Sequence, residues 1–533
     1  MAVSDVPASQ SHAQAQSVSS VSNSEPKQKL LGRAFYESLG SPKYIVAPMV
    51  DRSEFAWRML TRSFMSSDDQ RPLLSYSPMY HARLFREQTT VRFQHFRPTR
   101  DTDSTPYLDG NPNLDRPLFV QFCANDPEDL LEAARHVEPY CDAVDLNLGC
   151  PQGIAKKGHY GAFLQEDWDL IYKLINRLHT NLSIPVTAKF RILETKEKTL
   201  EYAKMILSAG ASIITLHGRR REQKGHNTGL ADWSYIRYIR DNLPPETVIF
   251  ANGNNLNHDD LERCLEATGA DGVMSAEGNL SDPSIFSKPP PIGRETREYW
   301  RDRNGKGGYR IDAVLRRYLD VIYKYVLEQP IPERKPLYLP SDPVEDTSEA
   351  VSDTSPDGAE DGPPKKKQKR DKTKTKRPNS PSLVVMQGHL FQLLRPMVAN
   401  HTNVRDALAR SKPGDMSAFE HVLSLVEKAI KEGLQEYEQF PERFEGPPSQ
   451  ELTGSKATIA EYGRPWWICQ PHVRPLPEEA MELGALTAKK KNGVREQKSC
   501  AEAPSEKNTP PETSVTPQDP TSATATPDAL VSG

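Results

Sequence analysis

Eight short β-rich runs, several of them alternating apolar and polar residues, recur between Lys43 and Gly278: YIVAPM, LLSYSPM, PLFVQFC, AVDLNLG, PVTAKFRI, IITLHGR, VIFANGN and GVMSAEG. Runs of period two bounded by Gly, Pro and Asn predict strands. Most of the gaps between them carry helical spacing. In DPEDLLEAARHVEPY, Leu130, Leu131, Ala134 and Val137 share one helical face, with Asp126 placed as N-cap and Pro127 in the first turn. EDWDLIYKLINRL has the same character. Strands alternating with helices imply a parallel sheet, and eight such units predict an α/β fold closed into a (β/α)8 TIM barrel over residues 30–295. A doubly wound open sheet is the competing architecture.

Strand parity then separates two faces. Val186, Ala188 and Phe190 alternate with Thr187, Lys189 and Arg191; Ile214 and Leu216 alternate with Thr215, His217 and Arg219. Phe119, Gln121 and Cys123 share a face, as do Asp145 and Asn147. The apolar sets are expected to pack on the helices. Gln121, Asn147, Lys189, Arg191, His217 and Arg219 then point inward near the C-terminal strand ends, where sites in this fold are built. One inward polar residue is ordinarily structural; several on different strands make a polar site.

From Glu298 the units stop, and amphipathic helices are expected at Ala313–Leu327, 383–395, 402–410 and 416–438. They predict a small all-α domain formed by 296–340 and 382–440, followed by an extension over 441–477 that packs on the folded part. Arg310, Arg316, Arg317, Lys324, Arg395, Arg405 and Arg410 make this region locally basic, which suits either an RNA contact or a solvated surface.

Composition changes this picture at the ends and in the middle. The hydrophobic fraction of 36% and the 45 prolines are unevenly spread over the 533 residues. Residues 1–29, 341–381 and 478–533 are rich in Ser, Thr, Pro and charge, so they read as disordered. The middle stretch turns from acidic to basic, and its lysine run 365–370 fits a nuclear signal, a loose RNA contact or a solvated linker. Six cysteines without a CxxC pair suit a reducing compartment. No secretory pattern opens the chain, and no apolar run approaches the roughly 18 residues of a membrane span. A cytoplasmic or nuclear location and no membrane partner are therefore expected. The net charge of −4 says little about partners, since acidic tails mask basic surfaces.

The stretch DLNLGCPQGIAKKGHYGAFL places Cys150 where a strand ends, ahead of Lys156, Lys157 and His159. Cys150 lacks neighbours at metal-ligand spacing, so no metal is expected. As a nucleophile it needs a lowered pKa, which Lys156 or Lys157 would have to supply. As an acid it needs only an ordinary thiol, protonated at neutral pH. A free cysteine is also commonly packing, the reading given to Cys123 and Cys264.

This combination resembles the tRNA-dihydrouridine synthases, and their eukaryotic members in particular. The resemblance rests on APMVDRSEFAWRML, DLNLGCPQGIAKKGHYGAFL, the Lys of TAKFRI, the His of LHGRRREQKG, and ANGN followed by GVMSAEG, with WWICQPHVRP further on. It implies an FMN-containing barrel, a helical tRNA-binding domain, and NADPH or NADH as hydride donor. Pro48, Met49 and Val50 would supply backbone contacts to the flavin ring, Gln121 and Lys189 would bond its polar edge, and His217 would lie nearby. Asn252, Gly253, Asn254, Ala276 and Glu277 would form the phosphate site. Bacterial members typically carry Gly-Arg where this chain has Ala276-Glu277, so backbone N–H groups would have to bind the phosphate with the Glu277 side chain turned away.

The implied chemistry is reduction of specific uridines in the tRNA D-loop. Hydride from the reduced flavin adds at uracil C6, and Cys150 protonates C5. Asn147 would bond the uracil edge, with a turn bond to the local backbone as the alternative. Lys156, Lys157, Arg191 and Arg219 are the other substrate-binding candidates. No obligate protein partner is evident. Two other functions compete: a flavin barrel acting on a free pyrimidine, like dihydroorotate or dihydropyrimidine dehydrogenases, and a non-enzymatic RNA-binding scaffold.

Overall fold

The computed structural model describes residues 29–65, 72–343, 380–444 and 452–484. The N-terminal tail through residue 28, most of the charged insertion with its lysine run, and the chain from residue 485 lie outside the described residues.

Eight parallel strands form a closed barrel in chain order: β1 (Tyr44–Val46), β2 (Leu74–His81), β3 (Leu118–Cys123), β4 (Ala143–Leu148), β5 (Val186–Arg191), β6 (Ala211–His217), β7 (Val248–Asn252) and β8 (Gly272–Ser275). Ile45 pairs with Leu74 on one side and with Met274 on the other, which closes the cylinder and rules out the open sheet. Nearly every strand residue is buried on both faces, as expected for parallel strands wrapped by helices.

The helices start where local chemistry directs. The Asp126 side chain accepts from the N–H groups of Glu128 and Asp129, Pro127 opens the helix Pro127–Val137, and Leu130, Leu131, Ala134 and Val137 are buried against the barrel. Asn257 and Asp260 form a reciprocal capping box at the helix His258–Thr268, which ends on Gly269 in the left-handed region.

The helical part packs on the barrel. Helix Ile311–Val321 passes into a wider π turn, Ile322–Val326, so the expected Ala313–Leu327 helix is not α throughout. Helices Pro381–Leu393, Thr402–Arg410 and Met416–Gln439 follow. His389 stacks on Trp57 with ring centroids 4.1 Å apart, and its Nε2 lies 3.0 Å from the Glu54 carboxylate, both residues buried.

The later chain returns to the same body. Trp467 is fully buried, and its carbonyl accepts from Ile311 N–H at 2.9 Å. The helix Pro477–Glu482 runs from the end of the extension over 441–477 into the stretch 478–533 read as a disordered tail. Its order has a long-range cause: the Glu479 carboxylate accepts from Ser455 N–H at 2.9 Å and from Leu476 N–H at 2.8 Å. Among the described residues no helix is long and apolar enough to cross a membrane.

Candidate active site

The inward residues gather at the barrel mouth in several hydrogen-bonded groups. The β4 residue Asp145 is buried, and its carboxylate accepts from Gln121 Nε2 at 2.8 Å and Thr187 Oγ1 at 2.6 Å. Burial raises the Asp145 carboxyl to about 6, against the opposing pull of those two hydrogen bonds and of Lys189. Gln121 Oε1 in turn accepts from Asn147 Nδ2 at 2.8 Å. A register shift in β2 between Tyr76 and Met79 leaves the Ser77 hydroxyl to accept Gln121 N–H at 3.1 Å.

Asn147 sets the cysteine loop. Its Oδ1 accepts from Gly149 N–H at 3.1 Å and Cys150 N–H at 2.9 Å, the turn-forming alternative raised from the sequence. The loop is pinned from the far side as well. Gly161 has φ +65, and a Cβ there would stand 2.8 Å from the Cys150 carbonyl oxygen and 3.0 Å from Cys150 Cβ. Cys150 is half-buried, packed with Cys123, Ala155 and Tyr160. Burial pushes its thiol above the ordinary 9.0, although a hydrogen bond from the Gln152 backbone and then Arg191, Lys189 and Lys224 pull the other way. Cys123 and Cys264 are buried, with thiols raised by burial, which suits packing.

Around this thiol stands a row of cationic groups. Lys189 Nζ donates to Asn252 Oδ1 at 3.0 Å; burial and Arg191 lower the ammonium to about 8. Arg191 is 2% exposed and is lowered to about 10 by burial and by Arg219. Its Nε donates to Gly149 O at 2.7 Å and its Nη1 to Arg220 O at 3.3 Å, so it ties the loop after β4 to the loop after β6. Lys224 Nζ bonds Pro151 O at 2.6 Å and Arg221 Nη1 bonds Ala162 O at 3.2 Å across the same gap. Lys156 and Lys157 are exposed on the short helix Gly153–Gly158.

His217 is buried and held far below its ordinary 6.5 by burial and by Arg191, Lys189 and Arg219. Its Nε2 lies 3.1 Å from Arg219 Nη1, so in the neutral ring this nitrogen is the acceptor. Arg219 also donates to Asn254 Oδ1 at 2.8 Å and Gly229 O at 3.1 Å. Gly253 (φ +115) and Asn254 (φ +61) turn the chain after β7; a Cβ on Gly253 would lie 2.6 Å from Ala231 Cβ. Ala276 follows β8, and the Glu277 carboxylate is turned to Arg474, whose Nη2 and Nε both donate to it.

After β1, Pro48 is half-buried, Met49 buried and Val50 exposed. Met49 N–H donates to Ser53 Oγ at 2.9 Å, and its carbonyl accepts from Arg52 and Ser53.

The sequence reading left out Asp145, Thr187, Ser77, Gly161 and Arg474. Parity placed Asp145 and Thr187 on the inward face, a signal that was available; Arg474 has none, being 197 residues from its partner. Three of the basic residues in the helical part are spent internally: Arg310 on Asp312, Arg316 on Glu427 and Arg317 on Glu298.

Known proteins match this chain in sequence. The family model described as Dihydrouridine synthase (Dus) matches residues 45–320. The tRNA-dihydrouridine(16/17) synthase [NAD(P)(+)] of Saccharomyces cerevisiae is 42% identical over 460 residues, 86% of this chain and 89% of the relative. The protein of the same description from Schizosaccharomyces pombe is 44% identical over 84% of this chain and 92% of its own length. A mouse tRNA-dihydrouridine(16/17) synthase [NAD(P)(+)]-like protein is 46% identical over 51% of this chain and 54% of its own. With a closed barrel, a cysteine held at the β4 end and this extent of matching, the chain belongs to the dihydrouridine synthase family.

Proposed function

We propose that this chain reduces uridines of the tRNA D-loop, at positions 16 and 17, to 5,6-dihydrouridine, with FMN as resident cofactor and NADPH or NADH as electron source. The positions follow the descriptions of the two yeast relatives. The observation that carries the reading is the thiol of Cys150 beside a row of mutually repelling cationic groups. Lys189 and Arg191 are each lowered in pKa by burial together with neighbouring positive charge, and the neutral His217 is held so by burial and the same cations, so an anionic occupant of the mouth would relieve the two cations.

FMN fits the donor set. Lys189 and Gln121 bring an ammonium and an amide to strand ends on either side of β4, matching the acceptor-rich pyrimidine edge of an isoalloxazine. Backbone contacts to the ring would fall to Pro48 and Val50, since the Met49 backbone groups are already bonded. Asn252, Gly253, Asn254, Ala276 and Glu277 line the ends of β7 and β8, where barrel enzymes commonly hold phosphates. When bound and reduced, FMN supplies the hydride that adds at uracil C6.

The chain's own residues do the rest. Cys150, kept protonated by burial, holds the proton for C5. Lys189 stabilises negative charge on the flavin edge. Asn147 and Gly161 hold the cysteine loop in place, and Arg191 locks the two rims together. Exposed Lys156 and Lys157 meet tRNA phosphates as the uridine leaves its stack.

The test is a map of dihydrouridine in tRNA from cells with and without this chain, and with Cys150→Ala in its place. Loss of the modification at 16 and 17, restored by the wild type and not by the variant, is expected. Full modification by Cys150→Ala would sink the proton assignment, and unchanged tRNA without the chain would sink the function.

A further inference from the structure

The short helix Gly153–Gly158 begins three residues after Cys150, in the loop that follows β4. It has two sides. Ala155 is buried and packs in the same small cluster as Cys150, Cys123 and Tyr160. Ile154, Lys156 and Lys157 face outward, and Ile154 is 69% exposed. The helix is held firmly at both ends. Pro151 O at its entry accepts from Lys224 Nζ at 2.6 Å, and Gly158 O at its exit accepts from Asn125 Nδ2 at 3.0 Å. His159 stops it in the left-handed region at φ 49, and Tyr160 N–H then donates to Ala155 O at 3.1 Å. A side chain on such a support keeps its direction when it meets a partner.

Single exposed apolar side chains are ordinary on protein surfaces. Ile154 differs in its place. Chain length alone keeps it within roughly 14 Å of the thiol, so a tRNA that delivers a uridine to Cys150 comes down on this helix. The charge beside it suits that occupant. Lys157 follows Ile154 by three residues, the spacing of neighbours on a helix surface, and Lys156 stands next to it, both exposed. A base drawn out of a stack leaves a gap walled by apolar base faces, and an aliphatic side chain that fills the gap offsets part of the lost stacking.

We propose that Ile154 fills the place the target uridine leaves in the tRNA D-loop, packing against the neighbouring base while Lys156 and Lys157 hold the adjacent phosphates. The inference rests on the tRNA reading above and adds to it a residue that favours the everted uridine.

The experiment compares Ile154→Ala, Ile154→Gln and Ile154→Met in the full, flavin-loaded chain. It measures single-turnover reduction of tRNA that lacks dihydrouridine, and tRNA affinity at several salt concentrations. Gln and Met are of similar length and differ in polarity, so a contact with an apolar base face separates them. The Ala and Gln variants are expected to slow by roughly tenfold and the Met variant to stay within about threefold of wild type. All three should keep the wild-type slope of log affinity against log salt, because no phosphate contact is lost, whereas Lys157→Gln should flatten it by about 1. Wild-type rates in both Ile154→Ala and Ile154→Gln would overturn the proposal. Equal slowing in all three, Met included, would overturn it too, marking a demand of the cysteine loop for this one side chain. Wild-type protein that leaves the tRNA unmodified would overturn the tRNA reading and this inference with it.

Discussion

Asn147 Oδ1 accepts the backbone N–H of Cys150 at 2.9 Å and of Gly149 at 3.1 Å, so one side chain shapes the turn that carries the thiol. Its Nδ2 is meanwhile fixed by Gln121 Oε1. Asn147→Ala leaves two backbone donors without their acceptor and frees the turn, a change of about 1–3 kcal/mol in how that conformation is held. The expected result is a fall in kcat of roughly tenfold or more with bound flavin retained. Asn147→Asp, which keeps the acceptor and loses the bond to Gln121, should fall between. Wild-type turnover by Asn147→Ala, measured on native tRNA, contradicts the positioning role.

The same turn is sensitive from its other side. At Gly161 the backbone has φ +65 and the Cys150 carbonyl oxygen lies 2.8 Å from where a Cβ would stand. Gly161→Ala must either displace the cysteine loop or abandon the left-handed conformation, at about 1 kcal/mol or more. Activity should drop further than stability does. Paired urea-unfolding and single-turnover measurements decide this; a loss of stability with unchanged turnover speaks against a link between Gly161 and the thiol.

Cys150 as an acid has a pH signature. Burial lifts its thiol above 9.0, outweighing three nearby cations, so the protonated form persists through neutral pH and is lost only on the alkaline side. Single-turnover reduction of tRNA by flavin-reduced enzyme should be flat at neutral pH and decline above about pH 9. Cys150→Ser, whose hydroxyl does not titrate there, should be slow and lack that decline. An activity that rises with pH across the thiol range would mark a thiolate nucleophile instead.

Much of this site was legible because strand parity is local. Gln121, Asn147, Lys189 and Arg191 fall inward in their strands by counting twos, and all four sit at the mouth in hydrogen-bonded groups. Helix caps such as Asp126 are local too. What parity cannot say is whom a side chain bonds once inside: Asn147 turned to its own loop, and Arg191 to two backbone carbonyls. Long-range pairings were out of reach for the same reason. Nothing in the neighbourhood of Arg474 announces Glu277, nor does the composition around Glu479 announce Ser455. Arg316 and Arg317 look like a basic surface in sequence, yet each carries an acidic partner brought in by the fold, Glu427 and Glu298, whereas Arg310 pairs locally with Asp312.

Lys189 makes flavin-free stability depend on pH. Its folded pKa of about 8 lies below the ordinary 10.5, so between those values the unfolded chain holds a proton that the folded chain has released. Stability of the flavin-free protein therefore receives a rising contribution from Lys189 as pH increases through that window. Urea unfolding at about pH 7 and about pH 9.5 should show the wild type gaining on Lys189→Met as pH rises. In the loaded enzyme Lys189→Met should lower the flavin midpoint potential, because the ammonium favours the anionic reduced ring. A pH-independent difference between the two proteins would remove Lys189 as the titrating group.

The joint between barrel and helical part rests on a buried pair. His389 Nε2 meets Glu54 Oε2 at 3.0 Å, with the imidazole stacked 4.1 Å from Trp57 and 3° from parallel. Burial lowers the His389 pKa below 6.5 despite Glu54, so at neutral pH a neutral ring donates to the carboxylate. His389→Ala removes the stack and leaves the buried Glu54 carboxylate without its donor, a loss of about 1–3 kcal/mol from the hydrogen bond alone. His389→Gln, which can still donate, should cost less. If the helical part presents tRNA to the barrel, His389→Ala should also raise KM for tRNA while flavin reduction by NADPH proceeds at the wild-type rate. Unchanged stability in His389→Ala would mean that the pair does not hold the two parts together.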